Sequence, residues 1–459
     1  MGIVVHRSNR LELLAEQLSE LVRTPLADAF ARECIVVQGP GMERWLSAFL
    51  SKRLGVWANP HFPFPRALLE LFLEHVNGPL PEGTPRFDGP HLVWLIAEHL
   101  PALLHQPAFA RVRSYLDGDH HGERLLDLSQ KLADCFDQYA IYRPELVLRW
   151  ENGADDHFQA KLYRSLAGVV TPLARRMMAF ESALRSGFEL GEGLPERITL
   201  FGISTLPPAF VNMLSRIGEQ REVHMFLLAP SAEYWGDLDR AASARHDLHG
   251  FLASVGKISR EFTDLIGEQE LDDHFEAPTP TTMLRALQAD MVELRARGKR
   301  GDVERALPIP ERDDSLRVHV CHSLVRELEV LRDQLRMRLE RDKTLEPRDV
   351  IVFTPDIERY APAIEAVFAQ ADARDAKHIP FRIADRRALR ASEISEAFFA
   401  LLELLESRFA LSDVLDFLHR ACVRGRFQIA ETELDRVQRW LVGAGARWAI
   451  DAQHRESFE

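Results

Sequence analysis

The chain has 459 residues, 46% hydrophobic and 28% charged, a composition typical of a soluble globular protein with several domains of roughly 100–200 residues each. Its net charge of −13 argues against polyanion binding by the whole surface, but a local basic channel is compatible with that total. The sequence contains no apolar stretch of ~18 residues and no signal-peptide core, which disfavours a membrane span and secretion. Four widely spaced cysteines without a CxxC pair disfavour disulfides and zinc and favour a reducing cytoplasm.

The first predicted unit is a strand over residues 3–6, followed by a helix whose leucine stripe begins at Leu11. Ser8 or Asn9 is expected to cap this helix. Motor ATPases hold phosphate at such a connection, but here it reads HRSNR, with neither glycine nor lysine. Its backbone is therefore not expected to wrap a phosphate.

The second unit is the stretch CIVVQGPGMERWLSAFL, residues 34–50. Its β-branched start predicts a buried strand at 34–38, Gly39-Pro40-Gly41 predicts a tight break, and the apolar residues that follow recur at helical spacing. Open α/β sheets bind ligands at such a turn, beyond the carboxyl end of a strand. No lysine and hydroxyl pair follows Gly41, so the sequence indicates a binding corner without phosphate chemistry.

A rigid segment, NPHFPFP, precedes a mostly helical region that runs to about residue 190. Within it a helix is predicted at 125–142, and Asp134, Asp137 and Gln138 share one face of it at i, i+3 and i+4. Sequence alone favours solvent exposure for this polar face. The acidic, histidine-containing turn at 117–123 fails the EF-hand register and indicates a solvated loop, so no metal site is predicted.

Further strands are predicted at 197–204 and 222–228. The first ends in Phe201-Gly202-Ile203-Ser204, without the carboxylate that holds magnesium in nucleotide-hydrolysing folds. Residues 240–275 are expected to be helical, and 298–315 has the composition of a linker. A second α/β block is then predicted, with strands at 316–321, 349–353 and 381–384, and helices follow from 392.

The predicted domains are a first α/β domain over 1–297 with a helical insertion at about 66–190, a linker over 298–315, the start of a second α/β domain over 316–387, and the start of a truncated helical domain over 388–459. No serine-nucleophile elbow, HExxH motif or paired-cysteine motif occurs. A motor-like β–α rhythm with both phosphate positions vacant favours recognition or scaffolding over catalysis.

Eight stretches, in order from Ile3 to about Asp451, resemble the RecC (exonuclease V gamma chain) family. They read IVVHRSNRLELL, VVQGPGMERWL, ADCFDQYAIYRPE, FGISTLPP, EYWGD, RVHVCHSLVRELEVL, EPRDVIVFTPDIERYAP and RWAID. The resemblance covers the whole chain, and because family members are longer, it implies an N-terminal fragment. It also implies an α/β fold of degenerate superfamily-one helicase-like parallel sheets with large helical insertions.

The resemblance further implies a non-catalytic subunit of the RecBCD helicase–nuclease (exodeoxyribonuclease V), which processes double-strand breaks for recombination. Such a subunit helps to split the duplex and reads the Chi hotspot on the 3′ strand. Its implied partners are RecB-type and RecD-type subunits and single- and double-stranded DNA in the cytoplasm, with no membrane. No cofactor is implied for this chain, because ATP and magnesium act in the partner subunits.

Carried over residue by residue, the family's Chi-reading positions fall in three stretches. They are Gln38, Pro40, Arg44, Phe64, Glu70, Asp134, Cys135, Asp137, Gln138 and Arg143. Glutamine, arginine and aspartate side chains can read base edges, and a phenylalanine can stack on an unpaired base. The resemblance thus turns the polar face of the 125–142 helix from a solvent surface into a DNA contact.

The sequence departs from the usual family pattern at three of these positions. Pro40 stands where threonine is usual, Arg44 where glutamine is usual, and Glu70 where tryptophan is usual, which leaves the recognised octamer open. A further family arginine has two candidates, Arg175 and Arg176. Two other hypotheses stay open: an AddB-type helicase–nuclease subunit, which requires an intact phosphate loop and cluster-binding cysteines, and a protein-interaction scaffold that binds no DNA.

Overall fold

The computed structural model describes residues 2–28, 30–79, 86–235, 250–267, 270–295, 310–369, 378–384, 392–456 and 458. The chain divides into two compact units, Met1–Leu316 and Arg317–Glu459. Within the described residues, no helix is both long enough and apolar enough to cross a membrane.

The first unit is built on a six-stranded sheet in which every paired strand is parallel, in the order β3-β2-β4-β5-β1-β6. The strands are β1 (Ile3–Ser8), β2 (Glu33–Val36), β3 (Pro60–His61), β4 (Arg197–Phe201), β5 (Glu222–Leu228) and β6 (Glu270–Asp273). The predicted strands at the positions of β1, β2, β4 and β5 are confirmed, with shifts of a few residues at their ends.

The first unit also contains α-helices, and the largest insertion between two of its strands is helical. They are α1 (Leu11–Leu21), α2 (Pro40–Leu54), α3 (Pro65–Asn77), α4 (Gly89–Leu103), α5 (Ala110–Leu116), α6 (Glu123–Tyr142), α7 (Pro144–Glu151), α8 (Phe158–Ala167), α9 (Leu173–Arg185), α10 (Pro208–Gly218), α11 (Gly250–Val255), α12 (Lys257–Ile266) and α13 (Met283–Val292). Helices α3 to α9 lie between β3 and β4 in the chain. The predicted α/β class with parallel strands and large helical insertions is confirmed.

Both faces of the sheet are buried. Successive side chains of a strand point to opposite sides, so alternate residues of β2 join two different hydrophobic cores. Cys34 and Val36 of β2 join the larger hydrophobic core, which extends into the helical insertion. Ile35 and Val37 join a second core with the apolar stripes of α1 and α2. The apolar run that predicts β2 therefore contributes side chains to the hydrophobic cores on both faces of the sheet.

Two local predictions in this unit are wrong. Arg10, rather than Ser8 or Asn9, is the N-cap residue of α1, and its side chain makes no capping bond. The helix predicted at 240–275 is confirmed over 250–255 and 257–266, but 270–273 form a strand, and 240–249, 268 and 269 lie outside the described residues.

The break predicted after β2 is confirmed, since α2 begins at Pro40. Gly39 has an extended backbone there, with φ −174°, so the break does not require glycine's conformational freedom at this position.

The regular secondary structure in the described part of the second unit is helical. They are α14 (Leu324–Arg341), α15 (Ile357–Phe368), α16 (Glu393–Glu406), α17 (Leu411–Leu418), α18 (Ala421–Phe427), α19 (Leu434–Gly443) and α20 (Ala452–Glu456). Helices α14 and α15 pack through Leu328, Val367 and Phe368.

The strands predicted at 316–321, 349–353 and 381–384 are wrong, since these residues form no strand pair in the described part of the unit. Their apolar side chains have the alternation of a strand but lack a paired neighbour, and Val320 and Phe353 are 97% and 85% exposed. The linker predicted at 298–315 lies mostly outside the described residues. The assignment of domains along the chain stays a prediction.

Candidate nucleic-acid interface

The turn between β2 and α2 presents Gln38, Pro40 and Arg44 as exposed side chains. Helix α2 starts directly at Pro40, whose fixed φ and missing N–H suit the first helical position. The Gln38 Nε2 donates to the Ser204 Oγ in the loop after β4, at 3.0 Å. The Arg44 Nε donates to the Pro40 carbonyl one turn earlier, at 3.2 Å, so the arginine lies along the first turn of its own helix.

The segment after β3 presents a second predicted residue. Phe64 is 54% exposed and immediately precedes α3, which again begins with a proline. An exposed aromatic ring at a helix start is available for stacking on an unpaired base.

His61 lies in β3, just before this segment. Burial and then the charge of Arg32 lower the pKa of His61, so this imidazole is neutral near pH 7.

Glu70 lies in α3, six residues after Phe64, and its carboxylate already accepts a hydrogen bond within the helical insertion. The Arg176 Nη1 donates to the Glu70 Oε2 at 2.7 Å, and the Arg176 side chain is 8% exposed. Arg175, the other candidate arginine, pairs instead with Glu151 of α7 at 2.5 Å. Glu70 and Arg176 thus connect α3 to α9 inside the helical insertion.

Helix α6 carries the remaining predicted residues. Leu132 and Phe136 are buried as predicted, and Leu125, Leu128 and Tyr139 are partly buried.

Around that apolar stripe, Asp134 and Gln138 are exposed, whereas Cys135 and Asp137 are partly buried. Arg143, exposed at the end of the helix, donates its backbone N–H to the Tyr139 carbonyl at 2.9 Å.

Strand topology and one ion pair bring the three stretches together. β2 and β3 are adjacent and parallel, so Gln38 and Phe64 follow their strands at the same edge of the sheet. The Arg66 Nη1, in the first turn of α3, donates to the Asp137 Oδ2 of α6 at 2.8 Å. Sequence patterns do not indicate the roles of Arg66 and Ser204 here, because their partners lie 71 and 166 positions away in the chain.

The end of β1 and the connection after it, where a phosphate loop would lie, contact the end of β6 and the segment that follows it. Arg7 pairs with Asp273, and Arg10 with Glu276, at 2.5 Å each. The Asn9 side chain donates to the Glu276 carbonyl at 2.8 Å and accepts from the Glu276 N–H at 3.0 Å. Both arginines are therefore already paired with carboxylates, which compete with a phosphate for them. Within the described residues, no group of three or more metal-ligating side chains is found.

Comparisons with known proteins give consistent matches along the chain. The family model of the RecC N-terminal domain matches residues 3–294, and that of the RecBCD enzyme subunit RecC fourth domain matches residues 391–459. The chain is 34% identical to the RecBCD enzyme subunit RecC of Escherichia coli strain K12, over 99% of this chain and 46% of that protein. Identity to the same-named proteins of Haemophilus influenzae and Mycolicibacterium smegmatis is 30% and 32%, over 97% and 100% of this chain and 46% and 44% of theirs. The chain thus spans somewhat less than half the length of these relatives.

Proposed function

The chain belongs to the RecC family, and from this we propose that it is the N-terminal part of a non-catalytic DNA-recognition subunit of a RecBCD-type helicase–nuclease. Its partners are RecB-type and RecD-type subunits, and it acts on broken DNA in the cytoplasm. It helps to split the duplex and reads a Chi hotspot on the 3′ strand. ATP and magnesium act in the partner subunits.

One observation carries this proposal: side chains that can read or stack on bases lie on three separate stretches, which strand pairing and one ion pair connect. Gln38 and Phe64 follow adjacent strands. The Arg66–Asp137 ion pair attaches the polar face of α6 to the helix that starts after Phe64. Amide, carboxylate and aromatic groups together suit an unpaired strand, whose bases present both edges and faces.

The connection after β1 supports a role without ATP hydrolysis. A phosphate loop needs free backbone N–H groups and a lysine. Here Asn9 is tied to Glu276, and the carboxylates of Asp273 and Glu276 lie beside the connection. An AddB-type subunit with its own ATPase is therefore the less favoured alternative.

The test uses the full-length chain assembled with its RecB-type and RecD-type partners. Arg44→Ala and Gln138→Ala should each alter the response to the hotspot while unwinding stays near the wild-type rate. Matched controls on the same helices are Arg53→Ala and Gln130→Ala, both exposed, which should leave both properties unchanged. Poor unwinding with an intact hotspot response in the first two variants would contradict the proposal, as would ATP turnover by the full-length chain alone.

A further inference from the structure

Arg66 connects two of the three stretches that form the candidate interface. It lies in the first turn of α3, two residues after the exposed Phe64. Its partner Asp137 is on the polar face of α6, between Asp134 and Gln138. The Arg66 and Asp137 side chains are 34% and 23% exposed, so the pair is only partly buried.

The Asp137 carboxylate is held by its bond from Arg66. The Asp137 Oδ2 accepts from Arg66, whereas the Asp137 Oδ1 is buried and has no hydrogen-bond partner in the described part of the chain. A partly buried carboxylate that loses its donor is costly, so the bond from Arg66 fixes the position of this carboxylate.

Charge makes the pairing with Arg66 important for a strand-binding role. A lone carboxylate beside a nucleic acid repels the phosphates that flank any base it could bind. With Arg66 attached at 2.8 Å, the pair has no net charge, so that repulsion is removed.

We propose that Arg66 is a positioning residue of the DNA-contact surface: it neutralises Asp137, fixes its carboxylate and links the start of α3 to the reading face of α6. The inference rests on the proposed function, since it needs a strand at this surface. It assigns Arg66 an action through Asp137 rather than a phosphate contact of its own.

A double-mutant cycle in the full-length subunit, assembled with its partners, tests this assignment. The affinity for a single-stranded oligonucleotide is measured at several salt concentrations for wild type, Arg66→Ala, Asp137→Asn and the double variant. Arg66→Ala should weaken binding about tenfold in the wild-type background, because it exposes an unpaired carboxylate. In the Asp137→Asn background, which has no such charge, it should change binding less than about twofold and leave the salt slope unchanged.

A direct phosphate contact makes the opposite prediction and would overturn the inference. In that case Arg66→Ala would weaken binding equally in both backgrounds, and the salt slope would fall by about 0.7 in each. Unchanged binding in every variant would also overturn it. Absence of salt-dependent strand binding by the wild type would instead overturn the proposed function, and the inference with it.

Two further variants guard against a purely structural effect. Arg66→Lys keeps the charge if Arg66→Ala fails to fold, and it should retain the wild-type salt slope with a loss of less than about threefold. Arg149→Ala breaks an ion pair of similar geometry, 2.8 Å between the Arg149 Nε and the Asp155 Oδ2, on another helix of the insertion. It should leave strand binding unchanged, and a tenfold loss there would contradict the assignment to Arg66.

Discussion

The Nε2 of His6 and the Nδ1 of His224 lie 2.9 Å apart on the adjacent strands β1 and β5. The other nitrogens of the two rings contact carboxylates, His6 at Asp272 (2.9 Å) and His224 at Glu222 (2.8 Å). Burial lowers the pKa of His6, although its hydrogen bond to Asp272 opposes this effect. We therefore assign His6 as a neutral ring, in which one nitrogen donates and the other accepts.

The neutral His6 predicts a loss of stability in acid. Because its folded pKa lies below the unfolded value of about 6.5, the unfolded chain takes up more protons as the pH falls. The free energy of unfolding should thus decrease below about pH 6.5, by at most about 1.4 kcal/mol per pH unit from this group. Urea denaturation between about pH 5 and 7.5 should show a shallower dependence for His6→Asn. His120→Asn, in an exposed loop, is the control, and an unchanged slope in His6→Asn would refute the assignment.

Arg197 should be among the most sensitive charged residues in the sheet. Its side chain is 2% exposed, bonds the Glu33 carboxylate, and donates to the Thr24 carbonyl at 2.9 Å. Arg197→Met leaves Glu33 largely buried without its partner, so we expect a loss of about 3–5 kcal/mol in the free energy of unfolding. Arg185→Ala, which breaks an exposed pair with Glu181, should cost less than about 0.5 kcal/mol. Urea denaturation compares them, and similar costs for the two variants would contradict this ranking.

Two glycines beside the candidate interface should respond differently to substitution. Gly202, after β4, has φ +64°, and an added Cβ would lie 3.1 Å from the Met42 Cε of α2. Gly202→Ala should therefore cost about 1–2 kcal/mol of stability. Gly39→Ser, in an extended backbone with open space around it, should gain a few tenths of a kcal/mol by capping α2. Thermal melting distinguishes them, and an equal loss in both would show that the turn itself is intolerant.

Ser204 should affect recognition without affecting stability. Its hydroxyl accepts the only hydrogen bond given by the exposed Gln38 side chain in the described structure, so Ser204→Ala frees that amide to rotate. Strand affinity in the full-length complex should fall about two- to tenfold, as expected for one hydrogen bond. Thr205→Ala, at the next exposed position, should have no effect. A change in melting temperature that matches the loss of affinity would indicate a folding defect instead.

The elements that sequence predicts best are those whose own residues determine them. β2 and β4 are apolar runs buried on both faces, and α6 has a regular apolar stripe, so local pattern and tertiary environment agree. β6 is missed because it reads Glu-Leu-Asp-Asp, which is unlike a buried strand. Asp272 and Asp273 fit there because His6 and Arg7 of β1 lie beside them. The strands wrongly predicted from residue 316 onward show the converse, because their β-branched residues have no paired strand in the described part of the second unit.

For the candidate interface, the sequence indicates which residues could contact DNA, but not which hydrogen bonds and ion pairs connect them to one another. Gln38, Phe64 and the α6 face were identified from motif words, whereas the link through Arg66 joins residues 71 positions apart. Glu70 shows the limit most clearly. Its carboxylate is bound by Arg176, 106 residues later, and no local pattern predicts that partner.

The order of the strands has a consequence for how the chain folds as it is synthesised. β1 pairs only with β5 and β6 in the described sheet, so the first strand made waits for residues more than 200 positions later. At about 5–20 residues per second, that wait is on the order of 10 s or longer. Ribosome-bound chains stalled shortly before β5 should expose Ile3–Ser8 to protease, and chains stalled well beyond β6 should protect it. The first strand to be synthesised thus enters its sheet only after β2, β3 and β4 have been made.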